Sequence, residues 1–598
     1  MTHGAQTRAQ ALVRQGMARQ QAGDLDGAAA CYQDALAQDP ANADALHLSG
    51  LVALQQGDPD EAVIRIQKAV DRVPDHPVLR NNLGLAMHRA GTLVAAAGQL
   101  QKALELKPGY AGAHMNLGAV YSDLGDREGA LEQGLEAVDL DPERSEAWFN
   151  LGLFLLDRVE LPQAMEAFRR ALAINPKYAA AATSLLYCLH LGEGLDPDDV
   201  AAEHRRVAAA VYGSPPERPP LRQRDTGEPL RVGYVSGDFR RHAVNHFFEP
   251  LLSHHDRERF EIHCYSDTVD TDEVTDRLMG LADHWLDARG LEDAALAERI
   301  RKDRIDVLVD LAGHTKGNRL GVFAQRPAPL QLGWLGYPGH PGLEAIDAQL
   351  VDATTLEGLA DTPAAESPAA RGLVALNGPF ACFAPAETAP EVTPPPVLER
   401  GAITLGSLHK LEKIGPEVIG CWAQVLKDLP NARLLLVRDH LDAWQRRRLL
   451  GQFLDQGIDQ SRLELMPGRP EGGSFQEFWA EIDIYLDTFP WSGHTMACHA
   501  LWCGVPVVTL AGASHASRMV ASLLTTLELP DCIAGDIDTY RSAVVRLAEN
   551  PAALATLRRE LRNRMSQSAL TDAAGFARRF EARIAELLGS LDQRSPVD

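Results

Sequence analysis

A 34-residue repeat occupies the first third of the chain and leaves few folds open to it. Four residue series recur at this period. They are Gly16, Gly50, Gly84, Gly118 and Gly152; Ala28, Ala62, Ala96, Ala130 and Ala164; Ala35, Ala69, Ala103, Ala137 and Ala171; and Pro40, Pro74, Pro108, Pro142 and Pro176. Small residues let two helices approach closely, and Pro ends each unit because it cannot continue a helix. The pattern therefore predicts an α solenoid of stacked helix–turn–helix units.

The period and the residue pattern resemble those of tetratricopeptide repeats. Five units cover residues 12–180, and four of them carry Gly at the turn between their two helices. The fifth unit has Val159 at that position, so we expect its turn to differ. Residues 181–228 are predicted to form a helix that caps the last repeat, followed by a linker rich in Pro and charged residues.

A solenoid of this kind presents a concave surface to a peptide or protein, although it can also serve as a spacer. Asn82, Asn116 and Asn150 recur at the repeat period. Their amides could hydrogen-bond the extended backbone of an acceptor protein, or they could pack within the repeats. Both interpretations stay open from the sequence.

Beyond residue 229 the pattern changes to short β-branched runs that alternate with helical segments. This alternation predicts parallel sheets with helical crossovers. A Pro-rich break at residues 389–397 divides it into two Rossmann-like lobes, 229–395 and 396–590. Ligands of such folds bind at the carboxyl ends of the strands, so the loops there carry the candidate chemistry.

Composition excludes several classes of partner. The net charge of −24 and the pI near 5.3 argue against binding to nucleic acid or to an anionic membrane surface. No apolar run is long enough for a membrane span, and no signal peptide is recognised at the N-terminus. Eight scattered cysteines form no Cys-x-x-Cys pair, and no His cluster has zinc-ligand spacing. We therefore expect a cytoplasmic protein without a metal.

Three loops of the first lobe hold candidate residues. His242 and His246 follow the first strand, where either ring could contact a substrate, although an isolated His is more often structural. His314 and Thr315 lie in a polar loop after a later strand, and Gly339 lies in a Gly-rich turn. We predict that these three residues contact the donor and that His246 contacts the acceptor.

The second lobe holds candidates for binding a phosphorylated ligand. Lys413 precedes a helix that starts near Pro416, and Gly493, His494 and Thr495 lead into another helix. Free N–H groups at a helix N-terminus suit a diphosphate, and glycine allows its close approach.

Taken together, these segments resemble the O-linked N-acetylglucosamine transferase family over residues 12–590. The matching segments are Arg231-Val-Gly-Tyr-Val-Ser-Gly-Asp-Phe239, His314-Thr-Lys-Gly317, Arg326-Pro-Ala-Pro-Leu-Gln331, Trp334-Leu-Gly-Tyr-Pro-Gly339, Lys413, Asp487-Thr488, Gly493-His-Thr495 and Leu501-Trp-Cys-Gly-Val-Pro506. The resemblance implies two lobes of the GT-B type and an inverting, metal-independent protein O-glycosyltransferase that uses a nucleotide-sugar donor. It implies that Lys413 neutralises the leaving phosphate and that His242 lies near donor and acceptor. It also implies that the segment from Gly493 to Thr495 cradles the phosphates, and that a Ser or Thr hydroxyl of a captured protein attacks.

Three departures from the family pattern concern donor recognition. The stretch from Ala364 to Leu376 lacks the family's usual Tyr-x-Glu. His499 stands where the family usually has an Asp for the nucleotide ribose, and His409-Lys410 stands where amides are usual. The donor could therefore be a CMP-nonulosonic acid rather than UDP-N-acetylglucosamine, as in bacterial relatives that modify flagellin. Two alternatives remain: a catalytically impaired repeat scaffold that senses a nucleotide sugar, and a glycosyltransferase for small molecules.

Overall fold

The computed structural model describes residues 3–225, 227–359, 369–386, 388–438, 441–467 and 476–592. The chain divides into two compact units, Met1–Ala181 and Ala182–Asp598. None of the helices within the described ranges is both long and apolar enough to cross a bilayer.

The first unit is built from antiparallel helix pairs, which confirms the predicted solenoid. Its helices are α1 (His3–Gln21), α2 (Leu25–Gln38), α3 (Ala43–Gln55), α4 (Pro59–Arg72), α5 (Pro77–Arg89), α6 (Leu93–Leu106), α7 (Ala111–Asp123), α8 (Arg127–Leu140), α9 (Ser145–Asp157) and α10 (Leu161–Ile174). The alanines of both periodic series are at most 1% exposed, as expected for positions where paired helices touch.

The periodic glycines make room for a large side chain from the second helix of the same repeat. A Cβ added at Gly50 would lie 2.5 Å from Ile66, and one added at Gly152 would lie 2.4 Å from Phe168. The fourth repeat differs, because the corresponding residue of its second helix is Gly134. There Phe154 of the following repeat fills the space, 2.8 Å from the position of a Cβ on Gly118.

The turn inside each repeat needs one left-handed residue. Gly23, Gly57, Gly91 and Gly125 adopt φ between 75° and 83°. Val159 adopts φ 59° at the equivalent position, so the fifth turn keeps the conformation of the others despite its β-branched side chain.

The second unit begins with α11 (Ala179–Leu189), which starts just before the unit boundary, and α12 (Pro197–Tyr212). Its first sheet has the order β3-β2-β1-β4-β5-β6-β7. The strands are β1 (Leu230–Ser236), β2 (Phe260–Ser266), β3 (His284–Asp287), β4 (Val307–Asp310), β5 (Leu330–Gly333), β6 (Ala348–Asp352) and β7 (Leu373–Leu376). The helices between them are α13 (Asn245–His254), α14 (Glu273–Leu281), α15 (Asp293–Asp303), α16 (Leu320–Ala324) and α17 (Ala353–Leu359).

The second sheet has the order β10-β9-β8-β11-β12-β13. Its strands are β8 (Thr404–Ser407), β9 (Arg433–Arg438), β10 (Leu463–Pro467), β11 (Ile484–Leu486), β12 (Val507–Leu510) and β13 (Ile533–Ala534). The accompanying helices are α18 (Val397–Arg400), α19 (Pro416–Asp428), α20 (Ala443–Asp455), α21 (Gln476–Glu481), α22 (His494–Trp502), α23 (His515–Thr526), α24 (Ile537–Ala548), α25 (Pro551–Ser566) and α26 (Ala573–Asp592). The strand pairs are parallel in both sheets, which confirms the two predicted α/β lobes.

The last helix departs from the predicted lobe boundaries. The sequence places α26 with the second lobe, yet Phe576, Phe580 and Ile584 are fully buried in the core of the first lobe. Glu581 accepts a hydrogen bond from His255 Nδ1 at 2.9 Å, and both side chains are buried. The helix thus covers apolar surface of the first sheet that the local sequence does not identify.

Candidate functional site

The loop between β11 and α22 is organised around a buried carboxylate, Asp487, which is 0% exposed. One oxygen, Oδ1, accepts a hydrogen bond from the Gly493 N–H at 2.8 Å, and Oδ2 accepts one from Thr509 Oγ1 at 2.6 Å. The Asp487 carbonyl accepts from Tyr540 Oη at 3.0 Å. These bonds fix the position at which α22 begins.

A glycine is needed at position 493 because a side chain there would overlap the His409 ring. A Cβ at this position would lie 1.8 Å from Cε1 of His409, a buried ring that follows β8. His409 Nε2 lies 3.1 Å from Asp487 Oδ1, and burial lowers the pKa of the ring although Asp487 opposes that effect. Because the Gly493 N–H already donates to Asp487, this glycine makes room for the His409 ring and offers no free donor to a ligand.

His494 and Thr495 are the first two residues of α22. The N–H groups of a first helical turn have no partner within the helix and suit an anion. The His494 ring is buried between Phe247 and Phe380, with ring centroids 4.8 and 4.7 Å away. Burial lowers its pKa to about 3, so the ring is neutral at physiological pH.

Lys413 lies beside this helix start. Its Nζ donates to the Ser492 carbonyl at 3.2 Å and lies 4.3 Å from the centroid of the Trp491 ring. Burial lowers the pKa of Lys413 to about 7, while Asp487 favours the charged form. The ammonium is therefore held beside α22 by uncharged groups, and no carboxylate of the described residues forms an ion pair with it.

Two aromatic residues near Lys413 were missed by sequence reasoning. Trp491 lies inside the predicted loop, and Tyr187 of α11 packs edge-on against it with centroids 5.1 Å apart. Tyr187 Oη also donates to Glu412 at 3.3 Å. The sequence could have identified Trp491 as a site residue, because it is an aromatic residue in a loop that contains Gly and Ser. Nothing in the local sequence of α11 indicates that Tyr187 belongs to the site.

His246 and His499, predicted to contact acceptor and donor respectively, contact each other across the two lobes. Their rings are edge-on with centroids 4.9 Å apart, and Phe383 lies 5.1 Å from His499. Burial and the neighbouring His246 lower the pKa of His499 to about 3. The ring is therefore neutral at physiological pH.

His242 lies on the loop after β1, and its side chain is 41% exposed. Its Nδ1 lies 3.8 Å from Asp238 and accepts weakly from the Val244 N–H at 3.4 Å. Partial burial lowers the pKa of His242, and the charges of Arg240 and Lys410 act in the same direction. The ring is thus an accessible neutral base on the first lobe, within electrostatic range of the second.

His314 bonds the loop that follows β5, whereas Thr315 bonds within its own loop. His314 is 1% exposed, and its Nε2 bonds to the Pro341 carbonyl at 2.7 Å. Thr315 Oγ1 donates to the Ala312 carbonyl at 3.0 Å. The buried His314 ring thus joins its loop to the loop after β5, and its Nδ1 has no hydrogen-bond partner among the described residues. Donor contact by His314 and Thr315 stays a prediction.

Gly339 lines a cavity of about 340 Å³ between the lobes. The walls include His190 directly after α11, Phe489 and Pro490 of the β11–α22 loop, and Ser514 before α23. A Cβ on Gly339 would lie 3.1 Å from the His190 ring, so the glycine allows these segments to approach closely. Gly339 thus belongs to a cavity that His314 and Thr315 do not line.

The repeat asparagines form hydrogen bonds along the solenoid. Asn82 Nδ2 lies 2.7 Å from His47 Nε2, and its Oδ1 accepts from Asn81 at 2.9 Å. Asn116 Nδ2 donates to Asn81 Oδ1 at 2.9 Å, and Asn150 is half-buried in the next repeat. Among the described residues, both the carbonyl and the amino group of the Asn82 side chain have partners, whereas only the amino group of Asn116 has one.

Comparison with known proteins gives consistent results for both units. A family model described as Glycosyl transferase family 41 matches residues 184–360 and 397–580. A model described as Tetratricopeptide repeat matches residues 13–77, 48–111 and 115–179. The first model thus covers both lobes, and the second covers the solenoid.

Individual relatives match over the same regions. A probable UDP-N-acetylglucosamine–peptide N-acetylglucosaminyltransferase SPINDLY from Solanum lycopersicum is 37% identical over 359 residues, which are 59% of this chain and 38% of that protein. The Arabidopsis thaliana protein of the same name is 35% identical over 404 residues, 67% of this chain and 44% of that protein. The chain therefore spans less than half the length of these curated relatives. A solved structure of a mutant Thermobaculum terrenum O-GlcNAc transferase is 31% identical, with a TM-score of 0.77 over 87% of this chain and 98% of that one.

Proposed function

Since the chain belongs to glycosyl transferase family 41, we propose that it moves a sugar from a nucleotide-sugar donor to a Ser or Thr hydroxyl of a protein held by the repeats. The reaction is a single inverting displacement. The acceptor oxygen bonds to the anomeric carbon while the bond from that carbon to the phosphate oxygen breaks, and the hydroxyl proton leaves to a base. The nucleotide departs with the negative charge.

The observation that carries this proposal is the position of Lys413 beside the first turn of α22. Its ammonium contacts a carbonyl oxygen and the face of Trp491 rather than a carboxylate. A phosphate placed there would meet both the ammonium and the N–H groups of His494 and Thr495. Because these groups are fixed before the donor arrives, they stabilise the leaving charge without reorganising. The proposed reaction therefore uses no metal.

His242 is proposed to receive the acceptor proton or to orient the hydroxyl that carries it. Its exposed ring and lowered pKa support this role, since a general base must be accessible and neutral. His246 and His499 form the wall between the lobes, close to where donor and acceptor would meet.

The donor is proposed to be either UDP-N-acetylglucosamine or a CMP-nonulosonic acid. A neutral His499 can accept one hydrogen bond from a ribose hydroxyl, whereas a carboxylate can accept several. This difference supports a donor other than the one named for the SPINDLY relatives. A CMP donor leaves as a monophosphate, which Lys413 would still neutralise.

The acceptor is proposed to be a protein bound along Asn82, Asn116 and Asn150, with flagellin as the first candidate to test. The side-chain carbonyl of Asn116 accepts no hydrogen bond from a described residue, which supports its contact with an extended backbone.

The cysteines, all eight buried and without disulfides, fit a reducing cytoplasm, where we place the reaction.

Donor turnover tests the proposal. The purified chain is incubated with UDP-N-acetylglucosamine and with a CMP-nonulosonic acid, and released UDP or CMP is quantified. We expect the unmodified chain to turn over one of the two donors and Lys413→Ala to lose that turnover. Lys427→Ala, which removes an exposed lysine on α19, should retain it. Equal turnover in Lys413→Ala and the unmodified chain would refute the assigned site. Binding of either nucleotide without turnover, even with acceptor present, would favour the scaffold alternative.

A further inference from the structure

A carboxylate and two imidazoles converge at the edge of the first sheet, outside the candidate active site. Glu261 and His263 are two residues apart on β2 and therefore lie on the same face of the sheet. His284 on the edge strand β3 is the direct register partner of His263. The sequence alone does not show this cluster, because His284 is brought in by strand pairing rather than by ligand spacing.

The potential ligand atoms are close enough to share one ion. Glu261 Oε1 lies 2.8 Å from His284 Nε2 and 3.3 Å from His263 Nε2. All three potential ligand atoms lie within 4.8 Å of one another. Ligands held tetrahedrally at about 2.0–2.2 Å from one ion lie roughly 3.3–3.6 Å apart, so these side chains would need only small shifts to share one ion.

A second observation points to a missing ligand. His263 is 6% exposed, and its Nε2 is buried without a hydrogen-bond partner of acceptable geometry. A buried polar atom without a partner carries a free-energy cost that a bound ion would remove.

The surroundings orient the carboxylate and leave space beside it. Arg231 Nε donates to Glu261 Oε2 at 3.1 Å, which leaves Oε1 directed at the two rings. The cluster borders an open cavity of about 370 Å³ whose lining also includes Arg299, Lys302 and Asp303. Asp303 is paired with Arg299 at 2.9 Å, so one of the nearby cations is already balanced.

We propose that Glu261, His263 and His284 form a site for a divalent transition-metal ion, with zinc as the expected occupant. Two imidazoles and one carboxylate are a ligand set that zinc accepts, and water would complete the coordination. The ion would join the edge strand β3 to β2. It would lie away from the loops at the carboxyl ends of the strands, so it stabilises the lobe and takes no part in sugar transfer.

Zinc binding to the full chain tests this inference. The chain is stripped with a chelator, dialysed and titrated with Zn²⁺ against a competing metal indicator. We expect one site per chain, with affinity reduced at least about tenfold in His284→Ala and in Glu261→Gln, since even outer-shell changes cost about 10–100-fold. His254→Ala, which removes another exposed histidine of the same lobe, should bind as the unmodified chain does.

Thermal unfolding supplies a second measurement. Zn²⁺ should raise the Tm of the unmodified chain and of His254→Ala, but not that of His284→Ala. His284 is 55% exposed on an edge strand, so its replacement leaves the core intact. Binding that is unchanged in His284→Ala, or no site tighter than adventitious surface histidines, would show that the cluster is only a hydrogen-bonded group. Neither outcome bears on the proposed transferase activity.

Discussion

The protonation of Lys413 links the local environment of one residue to activity. A lysine in water stays charged far above neutral pH, whereas burial lowers the pKa of this one to about 7. The free protein therefore holds a mixture of charged and neutral Lys413 near neutrality. Only the charged form attracts a phosphate, so donor capture should depend on pH in the physiological range.

Protonation of the proposed base His242 should lower kcat/KM at acidic pH. Separately, we predict that kcat/KM for the donor falls along an alkaline limb as pH rises above about 7. The sign follows from the lowered pKa, because raising the pH removes the proton that the phosphate needs. The profile of kcat/KM reports the free protein, so it should show this limb most clearly. Lys413→Arg should lose the limb, since arginine stays charged. A flat profile between about pH 6 and about 9 in the unmodified chain would contradict this account of Lys413.

Gly493 gives a second prediction at this scale. Gly493→Ala should destabilise the chain by about 1–3 kcal/mol, because its Cβ would overlap the buried His409 ring. Combining it with His409→Ala should recover part of that loss, which urea unfolding of the two single variants and the double variant would measure. Gly420→Ala on α19 is the matched control, since no atom lies within 4 Å of an added Cβ there. Additive losses in the double variant would show that the overlap is not the cause.

Among the secondary-structure elements, the repeat turns are the part that the sequence predicts best. A left-handed residue is needed between paired helices, and Gly supplies it in four repeats. The fifth repeat shows the limit of this reasoning. Val159 takes the same conformation because the packing of α9 on α10 determines the turn geometry, and tertiary contacts outweigh the local preference.

Replacing a turn glycine by valine and replacing the turn valine by glycine should change the stability of the repeats in opposite directions. Gly125→Val should destabilise the repeats by about 1–2 kcal/mol, the cost of a left-handed conformation for a residue with a Cβ. An added Cβ at Gly125 has no atom within 4 Å, so the loss would come from the backbone alone. Val159→Gly should be neutral or mildly stabilising in the same urea-unfolding measurement. Equal destabilisation by both changes would indicate that side-chain contacts, not φ, decide these positions.

The sequence predicted those parts of the candidate site that follow from the order of strands and loops. It did not predict those that depend on contacts between residues far apart in the chain. The order of strands and loops identified Lys413 and the start of α22. It did not identify Asp487 as the residue that fixes this helix start, because its partners Thr509 and Tyr540 are distant in the chain. It also predicted donor contact for His314 and Thr315, but not that His314 bonds the loop after β5 or that Thr315 bonds its own loop.

For the whole molecule, we predict that the repeats bind the acceptor protein and that the two lobes carry out sugar transfer. The repeats form one compact unit, and the two lobes with α11 and α12 form the other. Removing residues 3–175, which ends the deletion before α11, should leave donor turnover with water as acceptor unchanged. The same deletion should abolish modification of the natural protein acceptor. Modification that persists at an unchanged rate would instead favour a transferase for small molecules, with repeats that serve another purpose.

The most direct test of the central claim is the intact mass of the protein that co-purifies with the full chain. It would be measured in cells that produce the unmodified chain, Lys413→Ala or Lys427→Ala. We predict a discrete mass increase on the partner with the unmodified chain and with Lys427→Ala, and its loss with Lys413→Ala although capture persists. The size of the increase would identify the sugar class. A partner that is captured by all three chains and carries no added mass would contradict a glycosyltransferase and indicate a repeat scaffold.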